Sequence, residues 1–129
     1  MNTIEGNKLI AEFMGWKSRS AHETGAARLK EWQADNGKWW ESEELPFNKD
    51  WNELMLVVEK IASMGYNVEI INTPKYKTCR IYKSDNSVAS CGAIVSEKSF
   101  DAIVQFIQWY NENNKRMKAI CKFLNENNL

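Results

Sequence analysis

The stretch of sequence that decides the fold runs from Asp50 to Asn72 and reads DWNELMLVVEKIASMGYNVEIIN. In its first part, apolar residues recur at the i, i+3, i+4, i+7 spacing of one face of an α-helix, at Leu54, Val57, Val58 and Ile61. Asp50 is a suitable N-cap, Glu53 stands where a capping box places its acid, and Gly65 offers the left-handed residue that ends many helices. The sequence therefore predicts a helix over residues 50–64.

The residues that follow Gly65 predict three β-strands. Apolar and polar residues alternate over residues 66–72, and residues 78–83 also follow the two-residue period of a strand. Residues 87–95 form a third candidate strand, which is rich in small residues. Because the connections between these strands are short, we expect an antiparallel meander.

The pairing of the last two strands is predicted from the turn between them. Asp85 and Asn86 are typical of a two-residue hairpin turn, which would pair Cys79 with Gly92. The second strand has apolar residues on both faces, Ile81 on one and Tyr82 on the other. This arrangement favours helices on both sides of the sheet.

Two further helices are predicted near the ends of the chain. The first covers residues 3–14 and ends at Gly15. The last begins at about Glu97, is capped by Ser96 and carries two apolar stripes, which the run Asn-Glu-Asn-Asn at 111–114 separates. Because asparagine is a poor helix former, this run predicts a bend or a break in the helix.

Together these elements predict an α+β fold, with a small three-stranded antiparallel sheet flanked by helices as an α-β-α sandwich. We expect a single domain over residues 1–129. Residues 17–49 are predicted to be an irregular, tryptophan-rich segment, with a short helix over 24–33 and a turn at residues 35–37. Residues 115–129 are predicted to form a C-terminal helical extension.

Composition and charge limit the function classes. The chain has 17 basic and 17 acidic residues and a formal net charge of zero, whereas nucleic-acid binders usually carry a basic excess. No apolar run approaches the roughly 20 residues of a membrane helix, and the first residues lack a secretory leader, so we expect a cytoplasmic protein. An odd count of three cysteines, Cys79, Cys91 and Cys121, predicts free thiols.

No residue pattern predicts catalysis, a metal site or a cofactor. His22 is the only histidine, and nothing in the spacing places it beside a thiol such as Cys91. The acidic residues Glu41, Glu43 and Glu44 could ligate a hard cation, but a solvated loop is the preferred interpretation. The glycines are isolated, so no glycine-rich phosphate loop is present. We therefore expect a protein that is not an enzyme.

Candidate binding residues lie in the tryptophan-rich segment, and they are Trp32, Lys38, Trp39 and Trp40. Tryptophans interleaved with lysines could stack on bases or grip a flat ligand. The preferred alternative is that these aromatic side chains anchor an irregular segment to the domain. Trp39 and Trp40 are the most suggestive pair, because adjacent residues rarely both point inward.

A second candidate surface lies in the C-terminal extension. Its lysines, Lys115, Lys118 and Lys122, recur on one helix face, opposite an apolar stripe at Met117, Ile120, Cys121 and Leu124. The alternative is an ordinary surface helix with a solvated face. Since a three-stranded sheet is already crossed by the first half of the helix, we expect the stripe to bind a second copy of the chain. The predicted partners are therefore a second copy of the protein itself or an unknown host or phage protein, and binding to a membrane is not expected.

Three motifs resemble a known family. They are DWNELMLVVEKI at 50–61, IAEFMG at 10–15 and VQFIQWYN at 104–111. They are similar to a group of small proteins from phages and prophages of Bacteroidetes-type mobile elements, whose domain is described as a phage α-β-α sandwich. The resemblance implies this fold and a mobile-element origin, and it implies no reaction, ligand or site residue. This chain departs from shorter relatives in residues 17–49 and after Asn114.

The predicted function combines these observations. We expect a small phage- or prophage-derived accessory protein that acts by binding to another protein. The alternative is a nucleic-acid or nucleotide binder that uses the tryptophans and lysines.

Overall fold

A computed structural model describes residues 2–20, 30–83 and 94–126, and beyond Arg116 it describes the backbone and, of the side chains, that of Ala119 alone. In chain order the elements are α1 (Thr3–Phe13), β1 (Lys17–Ser20), β2 (Lys30–Gln33), β3 (Trp39–Glu41), a 3₁₀ turn (Ser42–Glu44), α2 (Trp51–Ser63), β4 (Tyr66–Asn72), β5 (Lys77–Lys83), β6 (Ile94–Ser96) and α3 (Ser99–Glu126). The predicted α+β class is confirmed, and the described residues contain two antiparallel sheets rather than one.

The predicted helix after Pro46 is confirmed as α2. The Asp50 side chain accepts a hydrogen bond from the Asn52 amide at 2.9 Å, and the stripe at Leu54, Val57, Val58 and Ile61 is buried. Only half of the predicted capping box forms, because the Asp50 amide donates to the Pro46 carbonyl at 2.8 Å and does not need Glu53 as its acceptor. Gly65 has φ +96°, the left-handed conformation expected after the helix.

The C-terminal sheet, β4-β5-β6, follows the predicted meander but not the predicted register. Strand β4 pairs with β5 so that Val68 faces Ile81. In the second pair Cys79 faces Ser96 and not Gly92, so the predicted pairing is wrong. The observed and the predicted registers differ by an even number of residues, so the same side chains lie on the buried face in both. Burial alone therefore does not distinguish the two registers. The predicted turn at residues 85–86 lies outside the described residues.

The C-terminal sheet is covered by described helices on one face. Helix α2 packs on β4, and α3 packs on β5 and β6 over the inward-facing side chains of Cys79 and Ile81. On the other face Val95 is 55% exposed, so a sandwich with helices on both faces is not confirmed. Tyr82 suggested a second buried face. Its hydroxyl instead donates to Glu69 at 2.7 Å, in a contact at the surface.

The segment predicted to be irregular forms an N-terminal sheet, β1-β2-β3. Its central strand β2 occupies residues 30–33, which corrects that part of the short helix predicted over 24–33. The rest of that prediction, residues 24–29, lies outside the described residues. Trp32 pairs with Trp40 across the sheet, a contact between separate segments that the local sequence pattern does not reveal. The turn predicted at residues 35–37 is confirmed, since Gly37 has φ +87° and its amide donates to the Ala34 carbonyl at 2.9 Å.

Both sheets and all three helices contribute to one buried cluster. Trp32 lies at its N-terminal side, with 2% of its surface exposed, and its indole N–H donates to the Ser42 hydroxyl at 3.1 Å. The Ser42 hydroxyl in turn donates to the Lys30 carbonyl at 2.6 Å. This buried chain of hydrogen bonds ties the N-terminal sheet to the 3₁₀ turn and thus to the main core.

The three helices point in the same direction. Gly6 near the start of α1 lies against Phe100 near the start of α3, and Phe13 at the end of α1 packs on Tyr110. At the same end, the Lys60 ammonium of α2 donates to the Phe13 carbonyl. The N-termini of the helices therefore lie at one end of the domain and the C-termini of α1 and α2 at the other.

Helix α3 corrects two predictions. It begins at Ser99 rather than at Glu97, because Ala102 is the first amide that bonds back into the helix, to the Lys98 carbonyl at 3.1 Å. It also continues through residues 111–114 without the predicted break and reaches Glu126. A poor helix former costs at most about 0.7 kcal/mol per residue, which is too little to interrupt a long helix.

Candidate functional site

Two adjoining clefts flank the start of β5. The first, of about 350 Å³, lies between the first turns of α2 and α3 and the end of β4. The second, of about 520 Å³, lies beside it along β6 and shares Lys77, Thr78 and Glu97 with the first. We call the two together the basic apolar cleft, defined by Lys49, Asp50, Trp51, Leu54, Ile71, Lys75, Tyr76, Lys77, Thr78, Val95, Glu97, Lys98 and Phe100.

Exposed apolar side chains are concentrated at this cleft. Six large apolar side chains are strongly exposed in the described residues, and four of them line it: Trp51 (53%), Ile71 (42%), Tyr76 (60%) and Val95 (55%). The other two, Ile4 and Leu56, lie on α1 and α2 outside it. Single exposed apolar residues are ordinary on protein surfaces, but a group of them marks an interaction site.

Local hydrogen bonds fix the backbone that carries two of these side chains, Trp51 and Tyr76. Trp51 begins α2 directly after the Asp50 cap, so its indole projects from the first turn of a fixed helix. Tyr76 lies in a tight turn between β4 and β5. The Thr73 hydroxyl bonds there to both the amide and the carbonyl of Tyr76, at 2.9 Å each. The backbone of the cleft is therefore set by capping and turn chemistry rather than by its exposed side chains.

The charge of the cleft is mainly positive. Four lysines line it, at positions 49, 75, 77 and 98, against two acidic residues, Asp50 and Glu97. The Asp50 carboxylate already accepts the hydrogen bond that caps α2. The ion pair found among the described residues joins Arg19 to Glu31 at 3.3 Å, away from the cleft. The four lysine ammonium groups of the cleft therefore have no carboxylate partner within the described residues. Such a surface attracts acidic groups.

The buried thiol of Cys79 is not an activated nucleophile. Cys79 is fully buried, and desolvation raises its pKa, an effect that a hydrogen bond to Ser99 partly opposes. A reactive cysteine needs the opposite, a lowered pKa and access to solvent. Tyr82 also has a raised pKa, because its hydroxyl bonds to the Glu69 carboxylate. Within residues 2–20, 30–83 and 94–126, no group of three histidine, cysteine or acidic side chains could hold a metal ion.

The structure divides the candidate tryptophans between the two faces of the N-terminal sheet, with Trp32 and Trp40 on one face and Trp39 on the other. Trp32, one of the candidate binding residues, is a core residue with 2% of its surface exposed, the position that the anchoring interpretation expects. Trp39 and Trp40 point to opposite faces of the N-terminal sheet, as adjacent strand residues must. The Arg19 guanidinium lies over the Trp39 ring at 3.7 Å, and the Lys38 ammonium lies over the Trp40 ring at 4.0 Å. These residues therefore do not form one stacking platform.

The predicted basic residues of the extension lie far along α3 from the cleft. Lys115 is exposed on the helix, and the side chains of Lys118 and Lys122 lie outside the described residues. His22 and Cys91 also lie outside them. The three acidic residues weighed as a cation site end β3 and form the 3₁₀ turn, where Glu41, Glu43 and Glu44 are exposed.

Sequence reasoning missed the cleft itself. Its residues come from separate segments, the loop before α2, the turn between β4 and β5, and the loop before α3. No periodic pattern connects such positions. One usable signal was Trp51, a large aromatic residue at the first position of a helix whose apolar stripe begins later, at Leu54.

None of the helices in the described residues combines the length and the apolar character that crossing a membrane requires. Comparison with known proteins brings no match to this chain. No protein-family model matches the sequence, and neither a curated protein nor a solved structure matches it. The resemblance to the phage α-β-α sandwich group therefore stays a prediction.

Proposed function

We propose that the protein is a small cytoplasmic accessory protein of phage or prophage origin, which acts by binding a partner protein and not by catalysis. The observation that carries the binding role is the basic apolar cleft, where four of the six strongly exposed apolar side chains meet four lysines. The phage origin is supported by the sequence resemblance in residues 10–15, 50–61 and 104–111.

The chemistry of the cleft favours an acidic partner segment that carries apolar or aromatic side chains. The first cleft, at about 350 Å³, is near the lower end of ligand-pocket volumes, so it fits one or two side chains rather than a folded surface. Leu54 and Phe47 close its floor and are almost fully buried. A partner's apolar side chain would displace water from this floor, while its carboxylates meet the lysines at the rim.

A nucleic acid is the alternative partner, since phosphates also bind lysines. The zero net charge and the division of the candidate tryptophans between two sheet faces argue against it. We therefore favour the protein partner, and nucleic-acid binding is one outcome of the test.

The test measures binding of fluorescently labelled model peptides by anisotropy. We expect a peptide that alternates glutamate with leucine and phenylalanine to bind with a Kd on the order of 10–100 µM, and its glutamine analogue to bind at least tenfold more weakly. Trp51→Ala should weaken binding about tenfold or more, because exposed tryptophans at an interface are frequent hot spots. Leu56→Ala is the matched control, since Leu56 is 49% exposed on the same helix but outside the cleft.

Two results would contradict the proposal. One is equal binding of the acidic peptide and its glutamine analogue, and the other is binding that Trp51→Ala does not change. A single-stranded oligonucleotide that binds more tightly than the acidic peptide, and depends on Trp51, would favour the nucleic-acid alternative.

A further inference from the structure

The C-terminal part of α3 extends beyond the core of its own domain. Among the side chains of α3 that the structure describes, the last that pack on the core are Trp109 and Tyr110. Helix α1 ends at the same level, where Phe13 contacts Tyr110. The helix then continues from Asn111 to Glu126, a length of about 24 Å at 1.5 Å per residue.

The apolar pattern of α3 continues in one register from the core into this extension. Ile103, Ile107 and Tyr110 face the core at spacings of four and three. The same alternation of four and three leads on to positions 114, 117, 121 and 124, occupied by Asn114, Met117, Cys121 and Leu124. A seven-residue repeat that keeps its register, here with Asn114 as its one polar member, is the pattern of a helix that packs along its length against another helix.

We propose that residues 111–126 pair with the same residues of a second copy, as an antiparallel two-helix interface. The occupant is a second copy because the repeat is self-complementary. Two antiparallel helices of this length place position 117 opposite 121 and position 114 opposite 124, so that Met117 meets Cys121 and Leu124 meets Asn114 of an identical chain.

The direction of pairing follows from the position of the core. The inward stripe of α3 is covered by the protein's own domain as far as Tyr110. A parallel partner on the same stripe would bring its domain into the space that this domain occupies. An antiparallel partner places its domain at the far end of the extension, and the two domains do not meet.

The size of the interface indicates a weak dimer. Four side chains per copy, three of them apolar, each burying roughly 100 Å², remove about 800 Å² in total, against 1,200–2,000 Å² in a stable complex. We therefore expect association between about 10 µM and 1 mM rather than an obligate dimer. Since the N-termini of the two copies of α3 point away from each other, the dimer would hold its two basic apolar clefts about 60 Å apart.

Sedimentation equilibrium of the full chain from about 10 µM to 1 mM tests the proposal, in the concentration range that the interface size indicates. We expect a reversible change from monomer to dimer. Leu124→Glu should raise the dissociation constant at least tenfold, and Ala119→Glu, at an exposed position of the same helix, should change it less than threefold. A circular-dichroism melt establishes that each variant keeps its fold. A chain that stays monomeric at 1 mM, or a dimer equally stable in Leu124→Glu, would overturn the proposal.

A cross-linking experiment tests the direction. In the antiparallel pair position 117 faces Cys121 of the other copy, so Met117→Cys should give a disulfide-linked dimer on mild oxidation, with the 117–121 linkage found by mass spectrometry. Wild-type protein should not link Cys121 to Cys121 of the other copy, because these positions lie in different layers. A prominent 121–121 linkage would show a parallel pair and overturn the arrangement.

Discussion

Ser42→Ala should destabilise the protein far more than a surface serine would, because Ser42 joins the N-terminal sheet to the core. Only 3% of Ser42 is exposed, and its hydroxyl bonds to the indole of Trp32 at 3.1 Å and to the Lys30 carbonyl at 2.6 Å. The substitution leaves a buried indole N–H without an acceptor, which costs about 1–3 kcal/mol. For a chain of this size we expect the melting temperature to fall by about 4–12 °C.

A double-mutant cycle isolates the hydrogen bond from the loss of packing. Trp32→Phe removes the indole donor and leaves a small cavity, and in that background the Ser42 change no longer leaves an indole unpaired. We therefore expect a coupling energy of about 1 kcal/mol or more between the two positions, measured by urea denaturation. Trp39→Phe, on the opposite face of the same sheet, is the control and should change stability by less than about 0.5 kcal/mol. Additive effects of the Trp32 and Ser42 substitutions would refute the reasoning.

Three further predictions concern the core. Val58→Asp places an unpaired charge on the buried stripe of α2, at a cost of several kcal/mol in the free energy of unfolding. The variant should therefore lack a cooperative thermal transition. A melting temperature within a few degrees of wild type would refute the assignment of that stripe. The Cys79 thiol should resist alkylation in the native protein and react after denaturation, where a titration should count all three cysteines as free thiols. Folding raises the pKa of the Cys79 thiol. The contribution of this thiol to stability should therefore be complete below the ordinary pKa of a free thiol and be lost as the pH rises above it. Cys79→Ser should remove this dependence of stability on pH.

The elements predicted well are those whose signal is local. Helix α2 was fixed by its own stripe and by caps at Asp50 and Gly65, and strands β4 and β5 were fixed by the alternation of their side chains. In each case a burial pattern within a single segment was enough, because the segment is long relative to the helical or strand period.

The elements predicted poorly depend on contacts between distant segments. Strands β1, β2 and β3 have four residues or fewer, too short to show a period, and they are stabilised by pairs such as Trp32 with Trp40. The register of β6 was missed because an even displacement keeps Cys79 and Ile81 buried. The basic apolar cleft was missed for a related reason, since it exists only where separate loops meet.

The common direction of the three helices gives the molecule an electrical polarity. Each helix carries a dipole equivalent to about half a positive charge at its N-terminus, and all three N-termini lie at the end of the domain that carries the cleft and its four lysines. An acidic group that reaches this end of the domain therefore meets the partial positive charges of the helix N-termini in addition to the lysines. In an antiparallel pair of copies the two dipoles oppose each other, so the pair has two positive poles facing outward and almost no net dipole.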